Sequence, residues 1–110
     1  MIKIFKVAHL HDIPPGSMRE ITILKCDILI INLDGVLYGV EARCPHKNYP
    51  LVLGSLKGRV LRCGFHYAEF DVKSGKVLSQ PIDDNLLRDL RTYKIRMDGS
   101  DILVDLSDQL

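Results

Sequence analysis

A small antiparallel β fold is what this sequence predicts. Three observations carry that reading: apolar residues recur with a period of two over short stretches, turn-forming pairs separate those stretches, and only one segment has helical spacing. The candidate strands cover 2–8, 19–24, 27–33, 36–41, 59–62, 70–72, 92–97 and 101–105.

Each element has a local reason. The first strand cannot run past Asp12-Ile13-Pro14-Pro15-Gly16-Ser17, because paired prolines remove backbone donors and fix φ. The next two are rich in isoleucine, and Asp34-Gly35 is the pair preferred in a tight hairpin leading into 36–41. Lys57-Gly58, Lys73-Ser74-Gly75-Lys76 and Asp98-Gly99 mark further turns. Between 83 and 90, Leu86, Leu87 and Leu90 are spaced to share one face of a short helix. The result is a meander with no repeat and no linker, so a chain of 110 residues is expected to form one domain, 1–110.

Composition narrows the function. The 46% apolar and 26% charged residues are globular proportions. Lys plus Arg (15) nearly balances Asp plus Glu (14), so no net field favours nucleic acid or an anionic membrane. The N-terminal MIKIFKVAHLHD lacks the apolar run and cleavage site of a secretory signal. The longest apolar run, Ile28-Leu29-Ile30-Ile31, is far below the roughly 18–20 residues that cross a bilayer. A soluble, cytoplasmic protein, monomeric in isolation, is therefore expected. Three cysteines cannot all pair, which favours metal binding over disulfides for at least two of them.

The chemistry is concentrated in two segments. Cys44-Pro45-His46 is followed after sixteen residues by Cys63-Gly64-Phe65-His66, the spacing C-x-H-x16-C-x2-H. Each segment offers one thiolate and one imidazole. A [2Fe-2S] cluster with two cysteines on one iron and two histidines on the other needs that set. A structural zinc site also uses two of each, but the familiar fingers place both cysteines before both histidines, whereas here they alternate. A chance grouping of core cysteines and surface histidines is the third possibility. No nucleotide or flavin motif and no separate metal triad is present, so no catalytic residue is expected.

Cys44-Pro45-His46 with Pro50-Leu51 and Gly54, then Cys63-Gly64-Phe65-His66 with Phe70-Asp71 and Ser74-Gly75, resembles the Rieske ferredoxin pattern. Ile13-Pro14-Pro15-Gly16, Asp34-Gly35, Pro81 and Asp98-Gly99 are similar as well, so the likeness spans the chain. The resemblance implies an all-β fold of stacked antiparallel sheets, with a cluster-binding subdomain at one tip, here about 42–81. It also implies a [2Fe-2S] cluster held by Cys44, His46, Cys63 and His66. The implied activity is that of a one-electron carrier, passing electrons from an NAD(P)H-dependent flavoprotein reductase to an oxygenase. The alternatives are a small subunit held within a reductase, similar to that of nitrite reductase, and a structural zinc module.

Departures from the family pattern refine the expectation. High-potential members carry a disulfide at the positions of Tyr49 and Phe65, where no disulfide can form here. They carry hydroxyls that bond sulfur at the positions of Ala68 and Phe70. Without those hydroxyls the potential is expected toward the low end of the Rieske range of about −150 to +300 mV. Tyr67 stands where glycine is usual, and Tyr49, Phe65 and Tyr67 are expected either to shield the cluster or to cap the local core. Cys26 reads as a small buried side chain. His9 and His11 read as solvated histidines that share a face. Arg43, Lys47, Lys57, Arg59 and Arg62 form a candidate basic rim for a partner, or serve solubility alone.

Overall fold

The computed structural model describes residues 3–45, 48–82 and 86–109, the side chain of residue 109 excepted. Among the described residues ten antiparallel strands form two sheets: β1 (Ile4–His9), β2 (Met18–Ile23), β3 (Cys26–Leu33), β4 (Val36–Glu41), β5 (Ser55–Lys57), β6 (Val60–Arg62), β7 (Glu69–Asp71), β8 (Val77–Ser79), β9 (Thr92–Asp98) and β10 (Asp101–Asp105). The six-stranded sheet has the order β1-β10-β9-β4-β3-β2, and the four-stranded sheet runs β5-β6-β7-β8. The all-β expectation holds. No described helix is long and apolar enough to cross a membrane.

Strand β3 is the centre of the packing. Its even-numbered Ile28 and Ile30 face one apolar cluster with Ala8, Ile13, Ile102, Val104 and Leu106. Its odd-numbered Leu29 and Ile31 face a second, with Val40, Ala42, Cys44, Leu51, Leu61, Cys63 and Phe70. Side chains alternate across a strand, so a strand buried on both faces must be apolar throughout. That is why Ile28–Ile31 reads as an unbroken run. The second cluster joins the four-stranded sheet to the larger one, and both cysteines of the motif lie in it.

The hairpins follow backbone sterics. Asp34 and Gly35 adopt φ of 53° and 95°, the left-handed pair that matches strand twist in a two-residue turn. Leu24 and Lys25 do the same at 50° and 68°, closing β2 onto β3 with Ile23 opposite Cys26. Neither residue favours that conformation, so no local signal marks this turn. Asn32, 1% exposed, donates its side-chain amide to the Ile13 carbonyl at 2.7 Å and accepts from the Gly35 N–H at 2.7 Å. It thereby pins the proline-rich loop to the β3–β4 hairpin.

Three expectations need correction. The helix expected over 83–90 is not found among its described residues, 86–90, which are irregular; residues 83–85 lie outside the described set. The backbone donors there are taken by distant partners instead: Leu87 N–H donates to Gln80 Oε1 at 2.9 Å, and Leu90 N–H donates to the Gly75 carbonyl at 2.8 Å. Tertiary contacts have overridden the leucine spacing. Strands β5 and β8, three residues each, were not expected at all. Cys26 is half-buried against the first cluster rather than fully enclosed.

Glu41 clasps the irregular segment to β4. Arg88 donates to both its carboxylate oxygens, at 2.6 and 2.9 Å, and the Arg91 N–H donates to Oε1. Burial pushes the Glu41 carboxyl up, but the Arg88 guanidinium and the Arg91 N–H outweigh it and hold the group below its ordinary value of 4.5. A carboxyl whose folded value is depressed stabilises the fold above its ordinary value, and that stabilisation fades as pH falls. Denaturant midpoints measured from pH 6 downward should therefore fall less for Glu41→Gln than for the unaltered protein as pH drops below about 4.5.

Gly54 gives a steric test. A Cβ there would stand 2.0 Å from the Arg62 carbonyl oxygen, whereas one at Gly64 would meet nothing nearer than 3.5 Å. In urea unfolding, Gly54→Ala should cost about 1–3 kcal/mol, and Gly64→Ala should cost clearly less.

Candidate metal centre

Two short loops carry the motif, and they are built alike. In the first, the Cys44 N–H donates to the Tyr49 carbonyl at 2.8 Å; in the second, the Cys63 N–H donates to the Ala68 carbonyl at 2.8 Å. Each loop thus leaves the core at a buried cysteine and is closed by a hydrogen bond from that cysteine to the residue five positions on. The neck of the first is extended by the Leu51 N–H, which bonds the Ala42 carbonyl at 2.8 Å, and by the Arg43–Pro50 bridge. The second grows from the β6–β7 pair, Arg62 opposite Glu69.

So tight a reversal needs left-handed backbone. Asn48 supplies it in the first loop at φ 56°, and His66 and Tyr67 supply it in the second at 63° and 61°. The loops lie against each other. The Tyr49 and Phe65 rings stack at 5.7 Å with planes 15° apart, and Phe65 meets the His66 ring edge-on at 4.1 Å. The two positions at which the family resemblance places a disulfide therefore hold an aromatic pair that spans the loops. Tyr67 does not join this array: its ring lies under the Arg62 guanidinium, 5.4 Å from ring centre to Cζ, and is half exposed.

The donors suit iron and sulfide. Cys44 and Cys63 are 1% and 0% exposed, while His66 is partly exposed. The Phe65 N–H points at Cys63 Sγ, 3.4 Å away, so that sulfur already faces a backbone donor of the kind that stabilises charge on a metal-bound thiolate. His46 lies outside the described residues, as does Lys47. Among the described residues no three His, Cys, Asp or Glu side chains are grouped to hold a metal ion. A structural zinc ion gathers all four ligands about one centre, whereas the Rieske arrangement divides them two and two between irons. The described donors, Cys44, Cys63 and His66, are the thiolate and imidazole types that the divided set uses.

The chain matches the Rieske [2Fe-2S] domain over residues 3–94. It belongs to that family. Its cofactor is accordingly a [2Fe-2S] cluster. Among its relatives are the biphenyl dioxygenase ferredoxin subunit of Pseudomonas sp. (strain KKS102), 33% identical over 93% of this chain and 91% of that one, and the ferredoxin component of the naphthalene 1,2-dioxygenase system of Pseudomonas aeruginosa, 29% identical over 89% and 90%. Of solved structures, the ferredoxin of carbazole 1,9a-dioxygenase from Nocardioides aromaticivorans IC177 is similar with a TM-score of 0.84, covering 92% of this chain and 95% of that one. At 23% identity that likeness shows the Rieske fold.

The other sequence candidates resolve simply. His9 Nδ1 stands 3.0 Å from Asp101 Oδ1, and the His9 and His11 rings stack at 5.4 Å, His9 partly buried and His11 exposed. The basic rim is largely neutralised: Arg43 pairs with Glu20 at 2.8 Å, Arg59 with Asp71 at 3.2 Å and Arg62 with Glu69 at 3.1 Å. Lys57 sits at the far end of the β5–β6 hairpin from the loops. One contact had no sequence signal: the Ile82 N–H donates to the His66 carbonyl at 3.0 Å, which holds Ile82 beside the second loop.

An aromatic pair is worth about 0.5–1.5 kcal/mol beyond its buried area. Tyr49→Ala should therefore speed amide exchange at both Cys44 and Cys63 by about fivefold, because both necks lean on one stack. Faster exchange at Cys44 alone would show that the ring supports only its own loop.

Proposed function

We propose that Cys44, His46, Cys63 and His66 hold the [2Fe-2S] cluster, within a subdomain of about 42–81 at one tip of a single domain. The chain would then carry single electrons from an NAD(P)H-dependent flavoprotein reductase to the oxygenase component of an aromatic-ring dioxygenase system in the cytoplasm. The observation that carries this reading is the pair of matched loops, each beginning at a buried motif cysteine and closed five residues later, in a chain whose full-length relatives are dioxygenase ferredoxins. His46 is assigned from its spacing in the sequence, being outside the described residues.

The cluster supplies reversible uptake of one electron, and two neutral imidazoles in place of two thiolates make that uptake easier than in an all-cysteine centre. The protein's own contribution is positioning. The buried cysteines hold their sulfurs away from water, the Phe65 N–H bonds Cys63 Sγ, and the second loop carries His66 outward toward the surface. The closed necks keep both loops in one geometry, so little reorganisation accompanies a change of charge.

Purified protein should contain two irons and two inorganic sulfides per chain by this reading. After chemical reduction it should pass one electron to the resting oxygenase component of the biphenyl dioxygenase system; a colourless protein, or one that transfers nothing, would overturn it. Two substitutions test the residue assignments by potentiometry. Ala68→Ser places a hydroxyl in the neck of the second loop and should raise the potential, by about 40 mV for each ~1 kcal/mol of hydrogen bonding gained on reduction. His66→Cys, where the cluster is retained, adds a negative ligand and should lower it.

A further inference from the structure

We propose that Glu20 is a positioning residue for the redox step: through its ion pair with Arg43 it holds and neutralises the guanidinium next to Cys44, and so keeps the reduction potential low. This rests on the assignment of Cys44 as an iron ligand.

Glu20 stands on β2 directly opposite Leu29 of β3. Residues opposite each other in an antiparallel pair present their side chains to one face of the sheet, and Leu29 belongs to the apolar cluster that holds both motif cysteines. Met18, two residues earlier on the same strand, packs against that cluster as well. A carboxylate is thus placed at the margin of the core that carries the proposed ligands, where packing alone would favour an apolar side chain.

Its two oxygens are treated differently. Oε2 accepts from Arg43 Nη2 at 2.8 Å, the two side chains being 21% and 36% exposed. Oε1 is buried and meets no donor among the described residues. A half-buried ion pair adds little net stability, because desolvation offsets the attraction, and an oxygen left without a donor lowers that gain further. A charge kept in this state points to a use other than folding.

Arg43 is the link to the loop. It precedes Cys44 in the chain and is bridged to Pro50, so a hold on its side chain is a hold on the neck from which the cysteine departs. Arg59 and Arg62 differ, since they pair with Asp71 and Glu69 within the four-stranded sheet. The Glu20–Arg43 pair instead ties the first loop to the outer strand of the large sheet. An unneutralised guanidinium beside the loop would favour the added electron of the reduced cluster, and an unneutralised carboxylate would oppose it; in a partly buried setting neither field is fully screened. Pairing cancels the two.

The test is potentiometry on the cluster-loaded protein and on Glu20→Gln, Arg43→Gln and the double variant, with visible spectra recorded alongside. Glu20→Gln keeps the shape of the side chain and an oxygen for Arg43 but removes the charge. It should raise the ratio of reduced to oxidised protein at a fixed potential by about threefold, an upward shift of about 28 mV at ~59 mV per tenfold for one electron. Arg43→Gln should shift the potential downward, and the double variant should return to within about 1.5-fold of the unaltered ratio. A clasp that serves structure alone would not give opposite signs that cancel. Where Arg43→Gln fails to retain the cluster, Glu20→Gln and the double variant decide. No upward shift in Glu20→Gln, loss of its cluster, a shift of the same sign in Arg43→Gln, or a double variant displaced as far as Glu20→Gln would each overturn this inference and leave the carrier reading standing. An unaltered protein without a one-electron couple would overturn both.

Discussion

Both motif cysteines sit in the apolar cluster between the two sheets, and from each the chain makes an excursion that a backbone hydrogen bond closes five residues later. The shape of both motif loops depends on that double closure. A thiol in the core is rigid because its neighbours are close-packed, and a short closed loop transmits that rigidity to the residues it carries outward. The imidazole of His66 is therefore held at the surface by a scaffold anchored in the interior.

The large sheet exists, in this view, to make that interior firm. Strand β3 packs on both faces, joining the cluster that contains β1 and β10 to the one that contains the four-stranded sheet. The polar clasps act at the periphery: Glu41 holds the 88–91 segment, Asn32 holds the proline-rich loop, and Asp71 accepts from Ser74 at 2.7 Å to fix the turn before β8. Each satisfies a buried or half-buried acceptor and each fixes a loop that the hydrophobic effect, being non-directional, would leave unplaced.

Where a bridging disulfide would otherwise join the loops, the stack of Tyr49 on Phe65 gives contact without a covalent tie. A stack is weaker than a covalent tie and insensitive to reduction. Ala68 and Phe70, both fully buried, bring no hydroxyl to the same region. One bond to sulfur in the second loop comes from the backbone, from the Phe65 N–H to Cys63 Sγ.

The sequence by itself determined the class of fold, most strands and the Asp34-Gly35 hairpin, and it supplied the spacing from which the four metal ligands are proposed, because each is encoded locally: alternation, turn chemistry, and cysteines and histidines at a fixed spacing. Tertiary structure alone decided the rest. The leucines of 86–90 are irregular because Gln80 and Gly75 take the Leu87 and Leu90 N–H groups, and Glu41 takes the N–H of Arg91 just beyond. The Leu24-Lys25 turn, strands β5 and β8, the pairing of the basic rim, and the turning of Tyr67 onto Arg62 all depend on partners distant in the chain or on strand register. Local pattern cannot encode such partners, since which side chains meet is settled only when the two sheets close on their shared core.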